Sequence, residues 1–323
     1  MKKILIIMHN YAEIPNLIRK NLDDLGYENV DFIFYAEESF RYKNMAQKVK
    51  NLYRKTILRD KDYKEKLRKE FIERTLLKKA EKLPHYDVIL MLNTDFFSDE
   101  FIRIIKTKTK KLVGNHWDGL SRTPAIYSKI KFFDTFYVFD KSDVDEKNKV
   151  YFLTNFFFNY NENRKEEIIK QDIFYLGTYI EERFKVLKNL SKIFTLKNIS
   201  QKILLFTWSK REAEGEITFT NQFLPYEENM NHVKSSKALL DLKLKEHNGL
   251  SFRFFEALKY HKKLITDNAD VKNYDFYKKE NIFIIGEDGE DELKNFIESP
   301  YQKIPSEIKD KYSFENWFKT LIS

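Results

Sequence analysis

A short turn, residues 247–249, precedes a segment that carries Arg253 and Glu256 at helical spacing. Gly249 in this turn allows the backbone to approach a phosphate closely, and the helix start that follows presents unpaired N–H groups to an anion. Arg253 offers a forked donor for a phosphate, and Glu256 can accept hydrogen bonds from ribose or sugar hydroxyls. The pattern predicts a phosphate site. A glycine turn before a surface helix with an (i, i+3) ion pair is the alternative.

A second polar group, His116, Trp117 and Asp118, follows a short apolar segment. A carboxylate or an imidazole can take the proton of an attacking hydroxyl when it lies within hydrogen-bonding reach. Asp118 and His116 are therefore candidate catalytic bases, and Trp117 can stack on a sugar face. His9 and Asn10 follow the first apolar segment in the same way. They either line a cleft for the acceptor, the molecule that carries the attacking hydroxyl, or simply begin a loop. The alternative for residues 116–119 is an Asp-Gly turn beside a core tryptophan.

Composition excludes several other kinds of chemistry. The chain has no cysteine, which excludes disulfides, zinc-thiolate sites and thiol nucleophiles. No Ser-His-Asp grouping, P-loop or GxGxxG pattern occurs, and the six histidines lack metal-ligand spacing. Asp143 and Asp145 form a D-x-D pair in a charged loop, which we interpret as a solvated turn because two carboxylates alone do not make a metal site. We therefore expect neither a metal nor a cofactor.

The candidate residues lie between elements that alternate as strands and helices. With 323 residues the chain suits two domains, since one core rarely grows beyond roughly 250–300 residues. Near-continuous apolar strands between helical patterns predict an α/β fold with parallel sheets, whose ligands bind at the carboxyl ends of the strands. The polar stretch 159–170 is the expected linker between the domains. The predicted strands are residues 3–8, 30–35, 87–92, 111–114 and 135–139 in the first half, and 172–176, 202–207, 238–242, 263–266 and 281–285 in the second.

Four segments of the second half form a characteristic set: DIFYLGTYIEERFKVL, LLDLKLKEHNGLSFRFFEAL, KKLITDNADVKNYDFY and SPYQKIPSEIKDKYSFENW. Together with HWDG and the strand order of the first half, they resemble bacterial GT-B glycosyltransferases of capsule, exopolysaccharide and lipopolysaccharide clusters. The resemblance implies two Rossmann-like doubly wound domains that face a central cleft. Residues 1–160 would bind the acceptor and residues 171–323 the nucleotide-sugar, with a terminal helix that crosses back onto the first domain.

The resemblance also implies an activity and a set of contacts. A sugar would pass, without a metal, from a nucleoside diphosphate, with a UDP-sugar as the expected donor, to a glycan or lipid-linked glycan acceptor. Retaining enzymes of this fold often carry two glutamates separated by seven residues, but Asn248 stands in the first place here, so the stereochemical outcome stays open. The residues implied in donor binding are Gly177, Thr178, His247, Gly249, Leu250, Ser251, Arg253 and Glu256.

The net charge of +8 is concentrated in one region. Residues 41–82 hold 16 Lys and Arg against 6 Asp and Glu, with apolar residues at helical spacing, which predicts one or two basic amphipathic helices. The region is either a solvated helical face or a patch attracted to anionic lipids. Nucleic acid is not expected, because no reader motif accompanies the charge. No stretch approaches the roughly 18 apolar residues of a membrane span, so we expect a cytoplasmic protein, peripheral at the inner membrane face if this patch binds lipid.

Two other classes of function remain open at this stage. A nucleotide-sugar epimerase on the same fold would need several acid and base groups around the sugar and no acceptor groove. A non-catalytic glycan-assembly or nucleic-acid-binding protein would use only the basic face. Donor hydrolysis without acceptor separates a transferase from an inactive binder, and interconversion of free nucleotide-sugars points to the epimerase.

Overall fold

The computed structural model describes residues 2–10, 13–159 and 168–323, and it contains two six-stranded, fully parallel sheets. In the first sheet the strands stand in the order β2-β1-β3-β4-β5-β6. The order reverses between β1 and β3, so this half is doubly wound. Its strands are β1 (Ile4–His9), β2 (Val30–Tyr35), β3 (Tyr86–Leu92), β4 (Thr109–His116), β5 (Thr135–Val138) and β6 (Val150–Phe152).

Helices cover this sheet because the apolar side chains of its central strands need partners on both faces. Ser98 begins the fourth helix as a side-chain cap, accepting a hydrogen bond of 3.1 Å from the Phe101 N–H. The predicted basic region forms two helices rather than one. The helices of this half are α1 (Ile14–Asp24), α2 (Met45–Thr56), α3 (Tyr63–Glu81), α4 (Asp99–Lys106) and the single turn α5 (Tyr127–Ile130).

The second sheet has the order β12-β11-β10-β7-β8-β9, which is the strand order of dinucleotide-binding Rossmann domains. Its reversal falls between β7 and β10. The strands are β7 (Gln171–Thr178), β8 (Gln201–Phe206), β9 (Ile217–Thr220), β10 (Ser236–Asp241), β11 (Lys263–Thr266) and β12 (Ile282–Ile284). The helices are α6 (Glu181–Leu196), α7 (Tyr226–Lys234), α8 (Phe252–Lys259), α9 (Leu293–Glu298), α10 (Ser306–Asp310) and α11 (Phe314–Ile322).

The predicted α/β class with two parallel sheets is confirmed, and all ten predicted strands are present. Sequence patterns missed β6 and β9, edge strands of three and four residues in which only the first residue is buried. The equally short edge strand β12 was predicted because all three of its residues are apolar and buried. The expected linker at 159–170 lies mostly outside the described residues, because 160–167 are not among them.

Backbone hydrogen bonds and the packing of α11 join the two halves. Phe157, which follows the first sheet, donates its N–H to the Tyr312 carbonyl at 2.9 Å and accepts the Phe314 N–H at 2.7 Å. The chain then continues into α11, whose Trp317 and Phe318 are buried against the core of β1, β3 and α1. The last helix of the chain is therefore part of the first half.

No helix among the described residues is long and apolar enough to cross a bilayer.

Candidate functional site

A cavity of about 360 Å³ opens where the strand order of the second sheet reverses. The chain leaves β7 and β10 in opposite directions, and such a point creates a crevice at the carboxyl ends of the strands. Residues of both halves line the cavity, so it lies between the two sheets. The first half contributes Trp117, Asp118, Arg122, Phe139 and Asn155; the second contributes, among others, Gly177, Arg183, Asn229, Asp241, Lys243, His247, Ser251, Arg253 and Glu256.

Arginine side chains dominate the charge of this cavity. Arg253 donates from Nη1 to the Leu240 carbonyl at 3.1 Å and from Nη2 to the Leu176 carbonyl at 2.6 Å, so it bridges the ends of β10 and β7. Arg183, in the first turn of α6, and Arg122 line the same space, together with Lys243. Four cationic groups therefore face three carboxyl groups, an arrangement that favours an anionic ligand.

Five residues that line this cavity each have a buried polar side-chain atom with no hydrogen-bond partner within the described structure. Buried polar atoms are rarely left unpaired in folded proteins, so we expect these atoms to gain partners when a ligand or water enters the cavity and the side chains adjust. Both donors and acceptors are represented, so the expected ligand carries both kinds of group. The atoms are Trp117 Nε1, Asn155 Oδ1, Arg183 Nε, Asn229 Oδ1 and His247 Nδ1.

Two carboxyl groups line the part of the cavity near Arg253. Glu256 on α8 is 8 % exposed, and burial raises its pKa while the nearby Arg253 opposes the shift. Asp241, at the end of β10, accepts a hydrogen bond of 2.6 Å from the Ser251 hydroxyl. Ser251 also caps α8 by accepting from the Arg253 N–H. Ser251 thus fixes the start of the helix to the end of the strand and sets where Arg253 and Glu256 stand.

Asp118 and His247 approach each other across the cavity from opposite halves. The Asp118 carboxylate accepts from Arg122 Nη1 at 2.5 Å and from the Gly119 N–H at 2.9 Å. His247 Nε2 lies 3.9 Å from Asp118 Oδ1, longer than a hydrogen bond but within ion-pair range. Burial lowers the pKa of His247, and the charge of Asp118 opposes this shift. The imidazole is therefore neutral at pH 7 and can accept a proton.

The Gly249 turn has a different role from the one its sequence suggests. A Cβ at Gly249 would lie 2.5 Å from the Phe139 ring, so glycine is required for close packing of the two halves. The Asn248 and Gly249 N–H groups both donate to Asp140 Oδ2, at 2.5 and 3.3 Å. Burial raises the pKa of Asp140, but the hydrogen bonds from Ser142, Asn248 and Gly249 outweigh it, so the net pKa lies below the ordinary value. A protein carboxylate occupies the anion-binding N–H groups of this turn.

Several predicted residues lie away from the cavity. His116 is 2 % exposed, with Nε2 3.2 Å from the Thr123 hydroxyl, and burial lowers its pKa to about 4. Leu250 is fully buried in the core of the second half. Thr178, at the end of β7, is exposed and is not part of the lining. The structure therefore gathers Asp118, Trp117, Gly177, His247, Gly249, Ser251, Arg253 and Glu256 around one space, and leaves these three outside it.

His9 and Asn10 mark a second location, at the carboxyl end of β1. The His9 ring lies 5.6 Å from the Tyr35 ring and 4.7 Å from the Phe96 ring, measured between centroids. Burial lowers the pKa of His9. We call His9, Tyr35 and Phe96 the aromatic cluster; it lies at the point where the first sheet reverses its strand order.

Sequence inspection missed other lining residues. Arg183 follows Gly177-Thr178 on the next helix, just as Arg253 follows the Gly249 turn, and that parallel could have identified it. Asn155 and Asn229 carry no such signal, because each is brought to the cavity only by the packing of distant segments.

The D-x-D pair is structural. Asp143 accepts the Leu120 N–H at 2.9 Å, and Asp145 accepts from the Asn148 side chain at 2.5 Å. Over the described parts of the chain, no group of three or more His, Asp or Glu residues is placed to hold a metal ion.

Comparisons with known proteins leave the site to be interpreted from its own geometry: no protein-family model matches the chain, and no curated protein matches it.

Proposed function

We propose that this protein is a glycosyltransferase of the GT-B type, which moves a sugar from a nucleoside diphosphate to a surface-glycan or lipid-linked glycan acceptor. One observation carries the proposal. A cavity at the carboxyl ends of two doubly wound sheets is lined by three arginines and, from both halves, by five residues that each have an unpartnered buried polar atom. A ligand that fills it touches both halves at once, as a donor held against an acceptor must.

The chemistry of a nucleoside diphosphate sugar suits this lining. Its diphosphate is a dianion that pairs with Arg183 and Arg253, and its hydroxyls suit polar lining residues such as Asn155 and Asn229. The volume of about 360 Å³ falls within the usual range of small-molecule sites. When the sugar leaves, charge grows on the diphosphate, and fixed arginines stabilise that charge more in the transition state than in the ground state.

A transfer that inverts the anomeric centre needs one base. The acceptor hydroxyl oxygen attacks the anomeric carbon, the bond from that carbon to the diphosphate oxygen breaks, and the hydroxyl proton passes to a protein group. His247 is neutral, and its Nδ1 lacks a partner in the described structure. Asp118 carries the negative charge that stabilises the imidazolium. We assign proton transfer to the Asp118–His247 pair. His247 accepts the proton of the acceptor hydroxyl, and Asp118 is the counter-charge of the imidazolium that forms.

Donor turnover tests the proposal directly. Purified protein is incubated with a panel of UDP-, GDP-, ADP- and TDP-sugars, and release of free nucleoside diphosphate is measured. We expect slow release from one donor, lost in Arg183→Met and retained in Lys188→Met, which removes a cation from the same helix outside the cavity. Absence of both binding and turnover with every donor would contradict the proposal. Interconversion of free nucleotide-sugars without release would assign the site to an epimerase.

A further inference from the structure

Helix α2 carries its apolar side chains on the outside of the protein. Six large hydrophobic residues on α2 and just after it are between 52 and 70 % exposed. At 100° per residue, the four within the helix fall within one arc of about 100°. We call these six residues the outer stripe: Met45, Val49, Leu52, Tyr53, Ile57 and Leu58.

The inward side of α2 is polar, which is the reverse of an ordinary surface helix. Gln47, Asn51 and Arg54 are its least exposed residues and lie on the side opposite the outer stripe. Asn51 donates to the Tyr42 hydroxyl at 2.9 Å, and Arg54 pairs with Asp60 at 3.4 Å and stacks on the Tyr63 ring. The helix is thus attached to the protein by polar contacts, and its apolar side chains remain exposed.

Charge identifies what that surface fits. Residues 41–61 contain eight Lys and Arg and a single Asp. Lys48 and Lys55 flank the outer stripe on one side and Lys50 on the other, all three exposed. An apolar stripe between rows of lysine, with a tyrosine at its margin, has the chemistry of a helix that lies in the interface of an anionic bilayer.

We infer that α2 docks on an anionic lipid surface, with the outer stripe inserted among the acyl chains and the flanking lysines on the headgroups. This interaction goes beyond the proposed transfer reaction and does not depend on it. The segment that leads into α2 leaves the carboxyl end of β2, next to Tyr35 of the aromatic cluster.

Vesicle sedimentation of the whole protein tests the inference. Phosphatidylcholine vesicles with and without phosphatidylglycerol serve as the two surfaces. We expect the protein to bind the anionic vesicles and to bind the neutral vesicles more weakly. The variant Val49→Asp/Leu52→Asp should bind at least about 100-fold more weakly, because burying each such side chain shifts an equilibrium by roughly 10-fold or more. Leu196→Asp is the matched control, since Leu196 is 82 % exposed on α6 in the other half.

Insertion is distinguished from surface attraction by a local probe. Because the chain has no cysteine, Leu52→Cys and Leu196→Cys each create a single site for an environment-sensitive fluorophore. On adding anionic vesicles, we expect a blue shift and brighter emission at position 52 and no change at 196. Circular dichroism checks that each variant is folded, which is expected because the replaced side chains are exposed.

Three results would overturn the inference. One is failure of the wild-type protein to sediment with anionic vesicles at low salt. Another is equal binding by wild type and Val49→Asp/Leu52→Asp, which would leave only electrostatic attraction by the lysines. The third is a dimer in solution that dissociates in the aspartate variant, which would assign the outer stripe to a second copy of this chain.

Discussion

The two sheets follow the same construction, yet their carboxyl edges carry different chemistry. In the first sheet the strand order reverses between β1 and β3, and the aromatic cluster of His9, Tyr35 and Phe96 lies there. In the second sheet it reverses between β7 and β10, and Arg183 and Arg253 lie there. Topology sets where a ligand can bind, and the side chains at the strand ends set which ligand it is.

Under the proposed function, the difference would divide one reaction between two surfaces. Arginines suit the phosphates of a donor, whereas aromatic rings suit the apolar face of a sugar and impose no charge. Between the two edges stand Asp118 from the first half and His247 from the second. If this division is correct, changes at the second edge weaken donor binding, changes at the first weaken acceptor use, and changes between them slow the chemical step.

The largest expected effect comes from the residues between the edges. Asp118→Asn and His247→Gln should each lower turnover by roughly 10²–10⁴-fold and leave donor affinity unchanged, because general-base catalysis contributes about that much. The measurement is kcat with donor and acceptor, beside donor affinity by calorimetry. Asp143→Asn, a neighbouring carboxylate that accepts the Leu120 N–H, is the control. A parallel loss of donor affinity would make the pair a binding element instead.

The pH profile sharpens the assignment within this pair. Burial lowers the pKa of His247 from the ordinary 6.5, so the neutral, proton-accepting form persists to lower pH. Activity should therefore hold constant from neutral pH down to about 6.5 and decline only below it. Asp118→Asn removes the charge that favours the imidazolium, so in this variant the decline should move to still lower pH. An unchanged pH profile in that variant would mean that Asp118 takes no part in the proton transfer.

The next largest expected effects distinguish the roles of the two arginines at the second edge. Arg183→Met should weaken donor binding by roughly 10- to 100-fold, the loss expected for a charge-assisted hydrogen bond. Its melting temperature should fall less than that of the Arg253 variant, because only the hydrogen bond to Tyr175 is lost. Arg253→Met should weaken binding similarly and also destabilise the fold, because it removes hydrogen bonds to the Leu176 and Leu240 carbonyls. Donor titration and thermal unfolding measure both. Equal melting temperatures for the two variants would mean that the Arg253 bridge between β7 and β10 adds no stability.

Local patterns were sufficient to predict the scaffold. The central strands are runs of apolar residues buried on both faces, and Ser98 stands directly before a helical pattern, so neighbours in sequence determine these elements. The edge strands β6 and β9 escaped prediction because only the first residue of each is buried. The turn at Gly249 was located correctly but its partner was not, since Asp140 lies 109 residues away and nothing local links the two.

The same reasoning explains which site residues were found. Arg253 and Glu256 share one helix, so their spacing was visible in the sequence. His247 and Asp118 meet only because the two halves pack together, and the sequence around either residue gives no sign of the other. α2 shows a further limit: its apolar residues have helical spacing, but spacing alone does not reveal whether the stripe faces the protein or the outside.

The smallest expected effect tests the first edge. Phe96 is 44 % exposed at the aromatic cluster, so Phe96→Ala removes a stacking surface without opening a core cavity. We expect the KM for acceptor to rise about 3- to 10-fold, the range of an aromatic contact, with donor affinity unchanged. Tyr151→Ala is the matched control, since Tyr151 is 38 % exposed on β6, at the opposite edge of the same sheet. Steady-state kinetics with varied acceptor measure the effect. A change in donor affinity instead would show that the two edges bind one ligand together, and the division between them would fail.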